Sequence, residues 1–465
     1  MNDSSLKHTL GIFGLSFAIL IGLSALPIGE LTNNVAKDFN LFEDLFPKEN
    51  NSDSRQVTEI EPDAELLALL SEHEQAAPAE ETVAPVEEVT DVVAEPYSDG
   101  PEIVDGIVCI ENYSGQPLLS KFKQALGAAQ GPVNIAVIGD SFIEGDIFCQ
   151  DLRELLQSRL GGCGVGHLCM HTDFPGFRKS VSQADDGWTV RDVRSMGSKD
   201  SLRQLSGDYA LAAATATATF KGTSYGNGTS AWDNSSFTYI APASGTITLT
   251  NDNETAIFEV VADSEPATIS LSGYTSKFRV ESNVPGLKAL GASLDGNSGV
   301  QLDCMSIRGN SGISHARLNK ELIQNLRKNR DYSLIIIEFG TNALSAEQTE
   351  YSPYRLGMQK VVAKIKECYP AADIVIMGVA DRGVKEGTEV KSMPNCTAMV
   401  KAQRELARNS GVLFWDTREA MGGNGAVAEW RKRKLVNADY IHLNHAGGKE
   451  LASLMFNAFT KALDE

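Results

Sequence analysis

Residues 134–146 read NIAVIGDSFIEGD. Ile135, Ala136, Val137 and Ile138 form an apolar run of β type that stops at Gly139-Asp140-Ser141. An amphipathic helical pattern follows, with Ile147, Leu152, Leu155, Leu156 and Leu160 at helical spacing. A strand without polar alternation belongs to a sheet covered on both faces, the habit of parallel sheets. Ser141 therefore sits on a strand-to-helix turn, where it either caps the helix that follows or stands beyond the carboxyl end of a strand, where open α/β sheets place their sites. The same texture returns downstream. VQLDCMSIRG (300–309) reads as a strand, 315–329 as a helix, YSLIIIEFG (332–340) as a buried strand and 353–368 as a helix. DIVIMGVA (373–380), a helix at 395–409, the short strand VLFWD (412–416) and a helix at 446–463 complete the series. Alternation of this kind predicts an α/β fold, a doubly wound parallel sheet with helices on both faces.

Between the two α/β stretches the pattern changes. From 185 to 300 short alternating runs such as TATATFKG, FTYIAPASGTITLTND and SKFRVES are separated by turn signals, the pattern of an inserted all-β sandwich. The α/β domain is thus expected in two parts, 106–184 and 301–465. Ahead of it lies a mostly apolar, uncharged run from Leu10 to Ile28, preceded by Lys7 and followed by Glu30 and Asp38. Its length and flanking charges favour an uncleaved membrane anchor (1–30) over a cleaved signal, with the remainder of the chain outside the cytoplasm. Residues 31–105 read as an acidic Pro/Glu-rich tether. From Asp53 to Asp105 there are sixteen acids and one base, Arg55, so most of the net charge of −20 falls in one stretch without a packable face. No basic stripe is present, which argues against nucleic acid as a partner; protein partners cannot be read from the sequence. Seven cysteines, an odd number, lack CxxC spacing; Cys163 and Cys169 could pair in an exported protein, and at least one thiol stays free.

Four segments stand at strand ends or comparable loops: Gly139-Asp140-Ser141, Gly309-Asn310-Ser311-Gly312, Gly340-Thr341-Asn342 and Asp439-Tyr440-Ile441-His442. In this order they resemble the SGNH/GDSL hydrolase family, over roughly 110–170 and 300–465. The resemblance implies a flavodoxin-like three-layer fold, with Ser141 as nucleophile and Asp439 and His442 completing a triad. It implies an oxyanion hole made of the N–H groups of Ser141 and Gly312 and the side-chain amide of Asn342, and no cofactor. Where the family usually carries Asp after that asparagine, this chain has Ala343. An inserted β-sandwich resembles the module of the peptidoglycan and polysaccharide O-acetylesterase branch, which implies an acylated polysaccharide substrate.

The residue chemistry points the same way. A serine hydroxyl needs a base to take its proton, and histidine titrates nearest neutrality. His442 has an acid three residues before it, close enough to orient the ring; His445 is the nearest competitor. Each residue also has a plainer reading: Ser141 and Asp439 as helix caps, Gly312 and Asn342 as turn residues. His167, Cys169 and His171 suggest a metal, but no second ligand pair accompanies them, so no metal site is expected. Trp188 and Trp232, with Tyr225 and Tyr239, either stack on sugar rings or fill the sandwich core. The expectation is a membrane-anchored extracytoplasmic serine esterase, in the setting of a bacterial inner membrane facing the periplasm, that removes O-acetyl groups from a cell-envelope polysaccharide. An O-acetyltransferase using the same residues, or a non-catalytic tethered glycan-binding scaffold, are the alternatives.

Overall fold

The computed structural model of the chain describes residues 100–197, 200–387 and 389–465. The expected anchor and nearly all of the expected tether lie outside the described residues. Among the described residues no helix is long and apolar enough to cross a membrane.

The α/β part is built on a six-stranded sheet. Its strands are β1 (Glu111–Asn112), β2 (Val133–Gly139), β3 (Val300–Ser306), β4 (Tyr332–Glu338), β5 (Asp373–Met377) and β6 (Leu413–Trp415), in the spatial order β3-β2-β4-β5-β6-β1. All neighbours run parallel except β1, which pairs antiparallel with β6 at the edge. Leaving out β1, this is the flavodoxin-like order, and the direction of winding reverses between β2 and β4. The strand ends at that reversal carry Ser141 and Asn342.

Strand pleating explains the two helical layers. Ala136 and Ile138 of β2 face one side, with Ile335 and Ile337 of β4, and pack against α2 (Ser352–Cys368) and α3 (Cys396–Ser410). Ile135 and Val137 face the other side and pack against α1 (Cys149–Leu160) and α4 (His445–Asp464). The expected helix at 315–329 is broken. A 3-10 turn, Ile313–Arg317, gives way to a helix over Lys320–Leu326. Asn319 makes the break, because its side chain accepts the N–H groups of Glu321 and Leu322 and so starts a new helix.

The β module between β2 and β3 is larger at its start than the 185–300 span read from sequence. Its sheet takes in Gly166–Leu168 and begins its first long strand at Val181. One strand, Asp208–Gly222, is shared between two faces: its first part pairs with Lys288–Asp295 and its second part with Lys277–Ser282. The two faces of the sandwich are therefore hydrogen-bonded into one nine-stranded sheet around a single apolar core. Trp188 and Trp232 belong to that core, 6% and 0% exposed, and the Trp232 indole N–H donates to Ser235 Oγ at 2.7 Å. Neither can stack on a sugar, so the structure corrects the substrate-binding reading of both. Tyr239 is likewise buried. All seven cysteines are free, including Cys163 and Cys169.

Candidate active site

Strand β2 delivers Ser141 to the carboxyl edge of the sheet. Gly139 is required just before it, since a Cβ there would stand 2.6 Å from Glu338 Oε2 and 2.7 Å from the Glu338 carbonyl. Asp140 is fully buried and its Oδ1 accepts the N–H of Phe142 at 2.8 Å, so one carboxyl brackets the Ser141 turn. Ser141 Oγ lies 2.8 Å from His442 Nε2. His442 Nδ1 lies 2.8 Å from Asp439 Oδ2, and Asp439 Oδ1 accepts the N–H groups of Ile441 and His442. With Nδ1–H donating to the carboxylate, Nε2 is left as the acceptor for the serine proton. Burial pushes the Asp439 carboxyl up, but the bonds from the imidazole and the two N–H groups outweigh it and hold the group below its ordinary value.

The histidine loop is a closed turn. Val436 bridges to Leu443, and Asn437 N–H donates to the His442 carbonyl at 2.8 Å. Within it Tyr440 has a φ of 58°, a left-handed conformation that costs a non-glycine residue about 1 kcal/mol or more. Its carbonyl is held by the N–H of Gly383 at 2.8 Å. His445 turns away from the serine, with Nδ1 3.1 Å from Gln150 Nε2.

The oxyanion side differs from expectation. Gly312 does need to be glycine, with a φ of 91° and a Cβ position 2.6 Å from the Phe339 ring. Its N–H, however, donates to Asn310 Oδ1 at 2.9 Å. Asn342 Nδ2 donates to Asp140 Oδ2 at 2.7 Å and to the Asn310 carbonyl at 3.0 Å, which occupies both of its protons. Of the three expected donors, the Ser141 N–H makes no hydrogen bond among the described residues, while the other two are engaged within the protein. Beneath them lies a second buried carboxyl, Glu338, whose Oε2 accepts the Asp140 N–H at 3.3 Å. Burial raises both carboxyls. For Asp140 the N–H of Phe142, the His442 charge and Asn342 pull the other way; for Glu338 the Asp140 charge adds to the rise.

Sequence reading missed three groups here. Asn310 knits the Gly312 and Asn342 turns together. Glu338 is an acid inside the apolar run LIIIEFG, and a charge in a buried strand is a readable signal. Arg382, in the loop after β5, donates to the carbonyls of Thr341 and Leu344 on either side of Asn342-Ala343. Its neighbours grip other elements: Asp381 accepts from Arg418, Ser392 and Val427, and Gly383 holds Tyr440. Residues 381–383 therefore link the Asn342 turn to the histidine loop.

His167, Cys169 and His171 do not converge; His171 pairs with Asp185 at 2.6 Å and Asp173 at 3.2 Å. Among the described residues the one close ligand-type group is Asp146, Cys149 and Cys304. There the Asp146 carboxylate is already taken by Arg153 and Arg178.

Comparison with known proteins adds four findings. Residues 272–449 match the GDSL-like lipase/acylhydrolase family; Ser141 falls ahead of the match, on the far side of most of the β module. A structure titled "Peptidoglycan O-acetylesterase in action, 5 min" superposes with a TM-score of 0.63 at 19% identity, over 76% of this chain and 99% of that one, a likeness of fold. A family two carbohydrate esterase from Cellvibrio japonicus superposes with a TM-score of only 0.27 at 13% identity, over 61% of this chain and 99% of that one, and carries no argument. No curated protein matches.

Proposed function

We propose that this chain, whose residues 272–449 match the GDSL-like lipase/acylhydrolase family, is an SGNH/GDSL-type ester hydrolase that removes O-acetyl groups from a cell-envelope polysaccharide through Ser141, His442 and Asp439. The observation that carries this reading is the unbroken line of contacts from Ser141 Oγ to His442 Nε2 and from His442 Nδ1 to Asp439, 2.8 Å at each step. The serine oxygen attacks the ester carbonyl while His442 takes its proton, and Asp439 stabilises the imidazolium. The tetrahedral oxyanion is received by the Ser141 N–H and, once they release Asn310 and Asp140, by Gly312 and Asn342. Each such donor is worth about 3–4 kcal/mol in the transition state. His442 returns the proton to the leaving sugar hydroxyl, then activates the water that cleaves the acyl-enzyme. No step calls for a cofactor. The polysaccharide is suggested by the superposition with a peptidoglycan O-acetylesterase. The envelope setting follows from the apolar run at 10–28 and the acidic stretch behind it, read as an anchor and a spacer that hold the enzyme outside the cytoplasm.

The test is acetate release from O-acetylated peptidoglycan by the full chain, wild type beside Ser141→Ala, with and without an acceptor sugar. Release lost with the serine and indifferent to acceptor supports hydrolysis. Release that requires the acceptor replaces it with transfer. No release from any acylated glycan removes the polysaccharide from the reading.

A further inference from the structure

Beside the nucleophile turn lies a cavity of about 170 Å³ that the chemistry above does not use. One water needs only roughly 10–15 Å³, so the space is large enough for a ligand group. The α/β part contributes Glu144 and Gly145, just past Ser141, and Ser306 at the end of β3; the β module contributes His167, Ser206 and Asp208. Phe174 and Phe177, 53% and 36% exposed, also line it. Their loop is pinned to the nucleophile side: Ser180 Oγ donates to Asp146 Oδ2 at 2.5 Å, and Arg178 pairs with the same carboxylate at 3.1 Å. Arg308 lies 5.4 Å over the Phe174 ring and pairs with Glu144.

The lining combines two chemistries. Two exposed aromatic rings offer flat apolar faces. The module side offers the carboxylate of Asp208, whose Oδ1 accepts from Ser206 Oγ at 2.6 Å. A pyranose ring needs both, a face for its C–H groups and directed partners for its hydroxyls. An acyl chain would cover the Asp208 carboxylate without giving it a donor beyond Ser206, at a cost. An anion would meet Asp208, with the nearby arginines already spent on Glu144 and Asp146.

We propose that this cavity is a subsite for an uncharged sugar ring next to the acylated residue of the glycan, which also gives the β module its part in catalysis. The proposal rests on the polysaccharide reading and deepens it.

The experiment compares kcat and KM of the full chain for an O-acetylated N-acetylglucosamine oligomer and for p-nitrophenyl acetate, in wild type, Phe174→Ala, Phe177→Ala and Asp208→Asn. The expected result is a preference for the oligomer over the small ester that falls about tenfold for each variant, through KM. Phe174 is exposed, so its variant remains informative if Asp208→Asn fails to fold. Preference unchanged, both substrates failing in parallel, or a shift instead in acyl-length selectivity overturns the subsite. Saturation-transfer NMR of unacetylated N-acetylglucosamine oligomer on Ser141→Ala separates this from failure of the catalytic reading. Transfer that is lost in Phe174→Ala/Ser141→Ala supports the subsite even if no esterase activity is found, and no transfer at all counts against it.

Discussion

The two halves of the proposed active site are in different states of readiness. On the proton-transfer side, Ser141, His442 and Asp439 are in hydrogen-bonding range in the order that general-base catalysis requires, on a turn at the protein surface. On the charge-stabilising side, Gly312 and Asn342 are buried and satisfied by Asn310 and Asp140, leaving the Ser141 N–H as the open donor. In the proposed mechanism the nucleophile is aligned with its base before substrate arrives, while buried N–H donors take whatever acceptor the protein provides. For the oxyanion to win them, it must outcompete Asp140 and Asn310. Asp140 touches both halves, bracketing Ser141 through the Phe142 N–H and holding Asn342.

Five substitutions sharpen this contrast. His442→Ala should lower kcat on the order of a millionfold, and Asp439→Asn about ten-thousandfold, because the imidazole then loses the partner that fixes its tautomer; steady-state acetate release measures both. Equal, small effects would mean that the preformed half is not the engine. Asn342→Ala should lower kcat about 10²–10³-fold with little change in KM, the signature of a donor used only in the transition state. An unchanged kcat would show that Asn342 never leaves Asp140. Arg382→Ala should lower kcat about 10–100-fold by loosening the turn that carries Asn342. Added guanidinium should restore part of that loss, which a general defect in folding would not allow. The smallest effect is on stability. Burial raises the Glu338 carboxyl above its ordinary value, so the folded state holds that proton and loses stability as pH rises from about 4.5 upward. Glu338→Gln lacks this penalty. Its melting temperature relative to wild type should therefore increase between pH 5 and pH 8, by about 2–4 °C for each kcal/mol relieved, as followed by calorimetry.

The sheet was legible because its strands are apolar runs with nothing else to do: Ile135–Ile138 and Leu334–Ile337 can only be buried on both faces. The four glycine-, asparagine- and histidine-bearing turns were legible because they sit where such strands end. The module was harder. Alternation places Trp188 and Trp232 on one face of a strand but does not say whether that face looks inward, and both look inward. A strand that serves two faces, as Asp208–Gly222 does, has no local signature at all. The break at Asn319 was written in the sequence as a capping residue within a helical pattern. The engagement of Asn342 by Asp140 was not, since it joins residues 202 apart in the chain. Residues 381–383 are a comparable case: each side chain or N–H holds a different distant element, and only the folded chain brings those elements within reach.

The most direct test of the central claim is the mass of the intact protein after brief exposure to a slowly turning-over acyl ester, followed by peptide mapping. The expected result is a single acyl adduct on the peptide containing Ser141, absent from Ser141→Ala and accumulating in the Asn342→Ala protein more slowly than in wild type. No adduct, or an adduct on another residue that survives Ser141→Ala, would contradict the assignment of Ser141 as the nucleophile.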